Sequence, residues 1–190
     1  RLRHQLCERN FALRQAHFPD SRENLVLALR RISFEGMLLY QAAAAALRGE
    51  RKAGVIIPAG EADCRAYWQS LPFPPTGAQQ RVLAEIAADL SAPQAMGRLV
   101  QGDVGCGKTA LAFGAMFLAA RAGYQSALMA PTEILARQHL ESARKTLEPL
   151  GIRCGLLLGG MKAKDRREAL EQIASGGWQA VIGTHALISE

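Results

Sequence analysis

Apolar side chains return at two different periods along the chain, and the change from one to the other divides it. In the first third, Leu25, Leu29, Ile32, Leu39 and Leu47 recur near helical spacing, with Arg30, Arg31 and Arg48 between or beside them. That pattern predicts a long helix. Phe18-Pro19-Asp20-Ser21 breaks the chain ahead of it. Asp20 or Ser21 can cap the new helix; with Asp20 as N-cap, Glu23 falls at the third helical position in a capping-box-like pattern. Gly49 and Gly54 close the helix, and the basic cluster Arg48, Arg51 and Lys52 suits its negative C-terminal end. A short helix is expected within 59–70, ending before Pro72, Pro74 and Pro75. Residues 1–70 therefore read as a helical linker segment, and residues 71–190 as a separate domain.

In that second part short apolar runs alternate with helical patterns. Val82, Leu83, Ile86 and Leu90 predict a helix over 78–90. A short buried strand is expected at 98–101, then a glycine-rich loop and a helix over 108–122. Strands at 125–130, 152–158 and 179–182 alternate with helices at 132–147 and 163–174. Strands alternating with helices of this length predict the α/β class, with a parallel sheet covered by helices on both faces. Ligands of such sheets gather at the carboxyl ends of the strands.

Composition narrows the class. Of 190 residues, 49% are hydrophobic, which suits a packed core. The longest apolar run, 110–120, falls short of the roughly 18 residues a membrane span needs. The first ten residues, RLRHQLCERN, are basic but lack the apolar stretch and cleavage site of a signal peptide. The first residue is not Met, so the chain is expected to be a piece of a longer protein. Cys7, Cys64, Cys106 and Cys154 lie far apart without a CxxC pair. Neither a metal site nor a disulfide framework is expected, and a reducing, cytoplasmic setting is. The net charge of +6 is compatible with a nucleic-acid partner without requiring one. The arginines of the long helix read as a solvated surface in preference to a nucleic-acid contact.

The sharpest motif is GDVGCGKT at 102–109, which satisfies GxxxxGK[ST] and lies between an apolar run (Leu99, Val100) and a helical pattern. Gly102, Gly105 and Gly107 let the backbone bend and bring successive N–H groups toward phosphate oxygens, with Asp103, Val104 and Cys106 completing the loop. The helix starting near Lys108 adds its positive end. Lys108 offers a mobile point charge for the β- and γ-phosphates of ATP, and Thr109 a hydroxyl for Mg²⁺. A thiol at Cys106, beside a lysine at a helix start, can be reactive; the plainer reading is that any small side chain fits there.

Four flanking phrases add to this loop: LPFPPTGAQ at 71–79, RLVQGDVGCGKT at 98–109, ALMAPTEILARQH at 127–139 and GTHALI at 183–188. Together they resemble the RecG family of superfamily 2 ATP-dependent DNA helicases. The stretch at 18–48 is similar to the helical segment that precedes the motor of that family. The resemblance implies a RecA-like P-loop NTPase domain, truncated in this chain and preceded by a helical segment. It also implies an ATP- and Mg²⁺-dependent, monomeric protein that remodels branched DNA at forks and junctions in recombination and repair. The phrase ending in Gln79 then resembles the family's Q motif, in which Thr76 and Gln79 serve the nucleotide and the glutamine amide reads the adenine edge. Phe73 either stacks on the base or plugs the core. Pro131-Thr132-Glu133 resembles motif Ia and Gly183-Thr184-His185 motif Ib, so Pro131, Thr132, Thr184 and His185 are implied DNA-backbone contacts. Glu133 reads better as a first-turn carboxylate favoured by the helix dipole. His185 is equally a plain loop histidine. Gly159-Gly160-Met161-Lys162, with Lys164, Arg166 and Arg167, either faces the DNA backbone or starts a solvated helix.

The 190 residues depart from the family in carrying no DExH box, no arginine-finger motif, no second motor domain and no wedge domain. Phosphoryl transfer needs several such parts in place at once. The chain is therefore expected to bind nucleotide and hydrolyse little by itself, with a sheet edge left uncovered. A sibling translocase, of the transcription-repair coupling factor or PriA type, and a non-motor P-loop module are the rival readings. The wording at 71–79 and the helical segment argue against the siblings, and Thr132 and Thr184 against the non-motor module.

Overall fold

A computed structural model describes residues 6–47 and 53–188. The chain divides between residues 51 and 52 into two compact units. Arg48, Gly49, Arg51 and Lys52, expected to close the long helix, lie outside the described residues.

The first unit is a helix pair, α1 (Arg9–His17) and α2 (Arg22–Leu47). Small side chains at the contact, Ala12 and Ala28, are fully buried. The turn between the helices is organised by Gln15, whose Oε1 accepts the Asp20 N–H at 2.8 Å while its Nε2 donates to the Asp20 carboxylate. With Asp20 so engaged, Ser21 is the cap of α2: its Oγ accepts the Asn24 N–H at 3.1 Å.

The second unit holds α3 (Glu61–Gln69), α4 (Gly77–Leu90), α5 (Lys108–Arg121), β1 (Ser126–Met129), α6 (Glu133–Leu147), β2 (Cys154–Leu157), α7 (Ala163–Ala174) and β3 (Ala180–Gly183). The strands form a parallel sheet in the order β1-β3-β2. Side chains alternate across β3: Ala180 and Ile182 join the larger core, with α5 and α6, and Val181 joins a smaller core with Ala169 of α7. Helices thus cover both faces, as the alternation of strand and helix predicts. α5 is apolar on most of its circumference and buries Leu111, Phe113, Met116, Phe117 and Leu118, because it is enclosed by α3 and α4 as well as the sheet. Gly114 permits this closeness: a Cβ there would lie 2.8 Å from Leu83 Cδ1 and 3.0 Å from Tyr67 Cε1.

Two expectations change. The strand expected at 98–101 is absent: no described segment pairs with it, and Leu99 is 87% exposed. An extended stretch becomes a strand only through a neighbour's hydrogen bonds. The short helix expected within 59–70 is α3, and it packs on α4 and α5 in the second unit. Its Tyr67 is fully buried, stacks at 5.6 Å from the Phe117 ring and donates its hydroxyl to the Ala110 carbonyl at 2.6 Å.

Candidate nucleotide site and nucleic-acid interface

α5 returns to β1 through the short turn at 122–125 and packs against that strand. Its N-terminus therefore lies toward the carboxyl edge of the sheet, and so does the loop that precedes it. Gly105 (φ 81°) and Gly107 (φ 88°) occupy the left-handed region, which admits glycine at no steric cost. Cys106 N–H closes a tight turn on the Asp103 carbonyl at 3.3 Å. A Cβ at Gly102 would meet the Cys106 Sγ, which would have to turn aside. Val104 at the crest is completely exposed. Gly107 caps α5 without any side-chain cap bond, which leaves the first-turn N–H groups directed at the loop.

Lys108 Nζ bends over this cradle, donating to the Gly102 carbonyl at 2.5 Å and the Asp103 carbonyl at 2.7 Å, 3.8 Å from Cys106 Sγ. Thr109 is half-buried one residue further into the helix. The glycine-rich loop with its two left-handed glycines, the positive end of α5 and a long-stemmed cation match the chemistry of a polyphosphate. Thr109 and Gly107 line a cavity of about 510 Å³ shared with Phe73 and Tyr67, a volume in the range of small-molecule sites. Phe73 is 47% exposed at its mouth.

α4 carries the segment that resembles the Q motif. Thr76 is its N-cap, in a reciprocal capping box: Thr76 Oγ1 accepts the Gln79 N–H at 3.3 Å, and Gln79 Oε1 accepts the Thr76 N–H at 2.8 Å. The other end of the Gln79 amide donates to the Cys106 carbonyl at 2.9 Å. Both ends of the amide are thus engaged within the protein, one on the cap and one on the phosphate loop, 27 residues away in sequence. A second N–H and a second lone pair of the amide remain for a base edge.

The motif-Ia and motif-Ib look-alikes meet at the ends of β1 and β3. Ala130 N–H donates to the Gly183 carbonyl at 2.8 Å, joining the two strand ends. Pro131 and Thr132 are exposed, and Thr132 caps α6 by accepting the Leu135 N–H at 3.3 Å. Thr184 precedes a short 3-10 turn, His185–Leu187, that starts with an exposed His185. The Gly159-Gly160 loop follows β2 at the same edge, and the Gly160 N–H approaches Glu133 Oε1 at 3.4 Å. Glu133 thus sits in the first turn of α6, as read from the sequence, and also reaches across to the glycine loop. Lys162 is the residue before α7, with Lys164, Arg166 and Arg167 in its first turns. Three strand-end loops rich in hydroxyls, free-standing helix starts and cations form one edge suited to phosphate contacts.

Sequence reasoning did not single out Tyr67, which braces the first turn of α5 through the Ala110 carbonyl; a lone tyrosine in a short helix carries no sequence signal for such a role. Among the described residues no three His, Cys, Asp or Glu side chains converge on a point that would hold a metal by themselves.

Comparison with known proteins now bears on this geometry. Residues 76–190 match the DEAD/DEAH box helicase family. The chain is 46% identical over 182 residues to the ATP-dependent DNA helicase RecG of Bacillus subtilis, with 94% of this chain and 27% of that protein covered. It is 44% identical over 191 residues to RecG of Streptococcus pneumoniae, with 99% of this chain and 28% of that protein covered. The chain therefore spans little more than a quarter of the length of these relatives. A solved structure of RecG bound to a three-way DNA junction superposes with a TM-score of 0.77 at 34% identity, covering 98% of this chain and 26% of that one. The structural match and the matched helicase segment fit a RecA-like fold for this chain. On these grounds the chain belongs to the DEAD/DEAH box helicase family and is similar to RecG.

Proposed function

We propose that the chain is the nucleotide-holding part of a RecG-like motor, an ATP-dependent DNA helicase or translocase that remodels branched DNA at forks and junctions. The observation that carries this reading is the 102–109 cradle, with its two left-handed glycines and Lys108, at the carboxyl edge of the sheet toward which Thr132 and Thr184 also lie.

Each residue then has a physical task. Gly102, Asp103, Val104, Gly105, Cys106 and Gly107 wrap the phosphates with backbone N–H groups. Lys108 leaves two neutral carbonyls for anionic oxygens, a stronger partner for an ammonium. Thr109 would hold Mg²⁺ through its hydroxyl, and the ion would supply charge neutralisation for the phosphates. Phe73 lies at the cavity mouth, where its ring can cover the base, and Thr76 and Gln79 set the start of α4 beside it. Pro131, Thr132, Thr184 and His185 contact the DNA backbone, which fixes position without reading sequence.

The relatives' printed activity supports DNA as the partner, and the free cysteines at Cys7, Cys64, Cys106 and Cys154 accord with a reducing cytoplasm. No described helix is long and apolar enough to cross a membrane. The working form is a monomer, and the 190 residues alone hold nucleotide without appreciable turnover, because they carry no DExH box. The test is ATP turnover by the full-length gene product with three-way-junction DNA and with linear duplex. Junction-stimulated turnover that Lys108→Ala abolishes supports the reading; turnover indifferent to DNA sinks it.

A further inference from the structure

The helix that leaves the phosphate loop carries a glycine in its interior, and the reason lies on another helix. A Cβ at Gly114 of α5 would lie 3.0 Å from Tyr67 Cε1 and 2.8 Å from Leu83 Cδ1. Glycine inside a helix costs stability relative to alanine, and here it opens a notch. The Tyr67 ring of α3 fills that notch. It is fully buried, with the Trp68 ring at 5.1 Å and the Phe117 ring at 5.6 Å. Because described residues enclose it completely, its contacts do not depend on what else packs around this chain.

Across the notch the Tyr67 hydroxyl donates to the Ala110 carbonyl at 2.6 Å. That carbonyl is the helical acceptor for the Gly114 N–H, and its second lone pair takes the tyrosine. Burial raises the ionisation of the phenol above its ordinary value, so it stays a donor at neutral pH. α3 also meets the far end of α5, where Asp63 Oδ1 lies 3.7 Å from Arg121 Nε. The short helix thus runs alongside α5, and Tyr67 is its hold on the first turn. Gly107 gives that turn no side-chain cap bond. Thr109 stands one residue before Ala110 and lines, with Tyr67, the cavity of about 510 Å³ beside the loop.

We infer that Tyr67 is a positioning residue for the nucleotide site: its hydroxyl, through the Ala110 carbonyl, fixes the turn of α5 that aims the Thr109 hydroxyl at Mg²⁺ on the phosphates. The inference rests on the nucleotide reading of the loop. Without this bond the first turn samples other orientations, and the competent one is populated for a smaller share of the time. The backbone donors of 102–107 precede that turn and are tied separately, by Gln79 at the Cys106 carbonyl. Loss of the tyrosine hydroxyl therefore falls on the metal-dependent part of the affinity.

The experiment uses the full-length gene product with N-methylanthraniloyl ATP as the probe, titrated with Mg²⁺ and again with EDTA. Hydrogen exchange of amides 111–114 accompanies it. Tyr67→Phe keeps the ring, its stacking and the Gly114 bond to Ala110, so the fold is expected to stand. It is expected to cut the affinity gained from Mg²⁺ by about fivefold, the equivalent of one hydrogen bond. Exchange at 111–114 is expected to speed up with α6 unchanged, and binding in EDTA to stay within about twofold of the parent. Gly114→Ala, which crowds the ring from the α5 side, is expected to lose the same gain, and the double variant no more than either single one. A hydroxyl that only stabilised the fold would lower binding alike with and without Mg²⁺. Equal losses in the two titrations, or a Mg²⁺ gain in Tyr67→Phe equal to the parent's, overturn the inference, while loss of binding in Lys108→Ala keeps the nucleotide reading standing. A parent protein that binds no probe sinks the nucleotide reading, and the inference with it.

Discussion

Gly105 and Gly107 share the left-handed conformation but differ in what surrounds them, and replacing each with alanine separates two contributions to the loop's stability. A Cβ at Gly105 (φ 81°) would have nothing within 4 Å, whereas one at Gly107 (φ 88°) would meet the Gln79 amide nitrogen. Gly105→Ala should therefore lose only the conformational advantage of glycine, about 1 kcal/mol. Gly107→Ala loses the same and also pushes the Gln79 amide off the Cys106 carbonyl, a hydrogen bond of 2.9 Å contributing about 1 kcal/mol more. The totals are about 1 and about 2 kcal/mol, or roughly 2–4 °C and 4–8 °C in melting temperature for a chain of this size. Urea unfolding without nucleotide, followed by fluorescence of Trp68 and Trp178, reads the second unit, which holds both tryptophans. In a Gln79→Ala background the extra loss at Gly107 should vanish, leaving a coupling of about 1 kcal/mol between the two sites. Equal losses at the two glycines, or strict additivity of Gly107→Ala with Gln79→Ala, would refute the reasoning.

Three further outcomes follow from single environments. Cys106 is exposed while Cys64 and Cys154 are buried, so iodoacetamide should modify Cys106 ahead of those two, and MgATP should slow that reaction; mass spectrometry showing no protection would displace the nucleotide from the loop. Burial pushes the Cys154 thiol up to about 11 from 9.0. The folded state thus favours the protonated form, so its contribution is complete below about pH 9 and declines by about 2–3 kcal/mol as pH rises toward 11. Urea midpoints at pH 8 and pH 10.5 should show the decline, and Cys154→Ala should make it shallower. Gly155→Ala would place its Cβ inside the Trp178 ring; forced repacking of this kind should destabilise by about 1–3 kcal/mol, with a shifted tryptophan emission, and an unchanged spectrum and stability would contradict the contact.

Much of the second unit was legible because local signals and tertiary packing agree there. The helices α4, α5, α6 and α7 begin and end within a residue or two of the periodic patterns, and the structure adds that Thr76 and Thr132 cap two of them. The phosphate loop was readable since its glycines and lysine are adjacent in sequence. What was not readable depends on partners far along the chain. Residues 98–101 look like a buried strand, yet strand formation needs a neighbouring backbone, and none of the described segments pairs with them. The resemblance implies an adenine contact for the Gln79 amide, while its bonds to Cys106 and Thr76 depend on a loop 27 residues away and on the local cap. Asp20 looks as good a cap as Ser21 until Gln15 claims its carboxylate and backbone. The fork between Arg98 and the acids of α4 joins charges that, in sequence, look like ordinary solvated surface.

The central claim is that 102–109 holds a nucleoside triphosphate through its backbone and Lys108. Isothermal titration of the 190-residue chain with MgATP tests it most directly, alongside Lys108→Ala, whose exposed side chain can be removed without disturbing the core. The account predicts saturable binding of one MgATP per chain, weakened at least about tenfold by the substitution, while stability without nucleotide falls by no more than the about 1 kcal/mol that the exposed Nζ bonds to the Gly102 and Asp103 carbonyls contribute. Binding of equal strength in Lys108→Ala, or none in the folded parent chain, would contradict it.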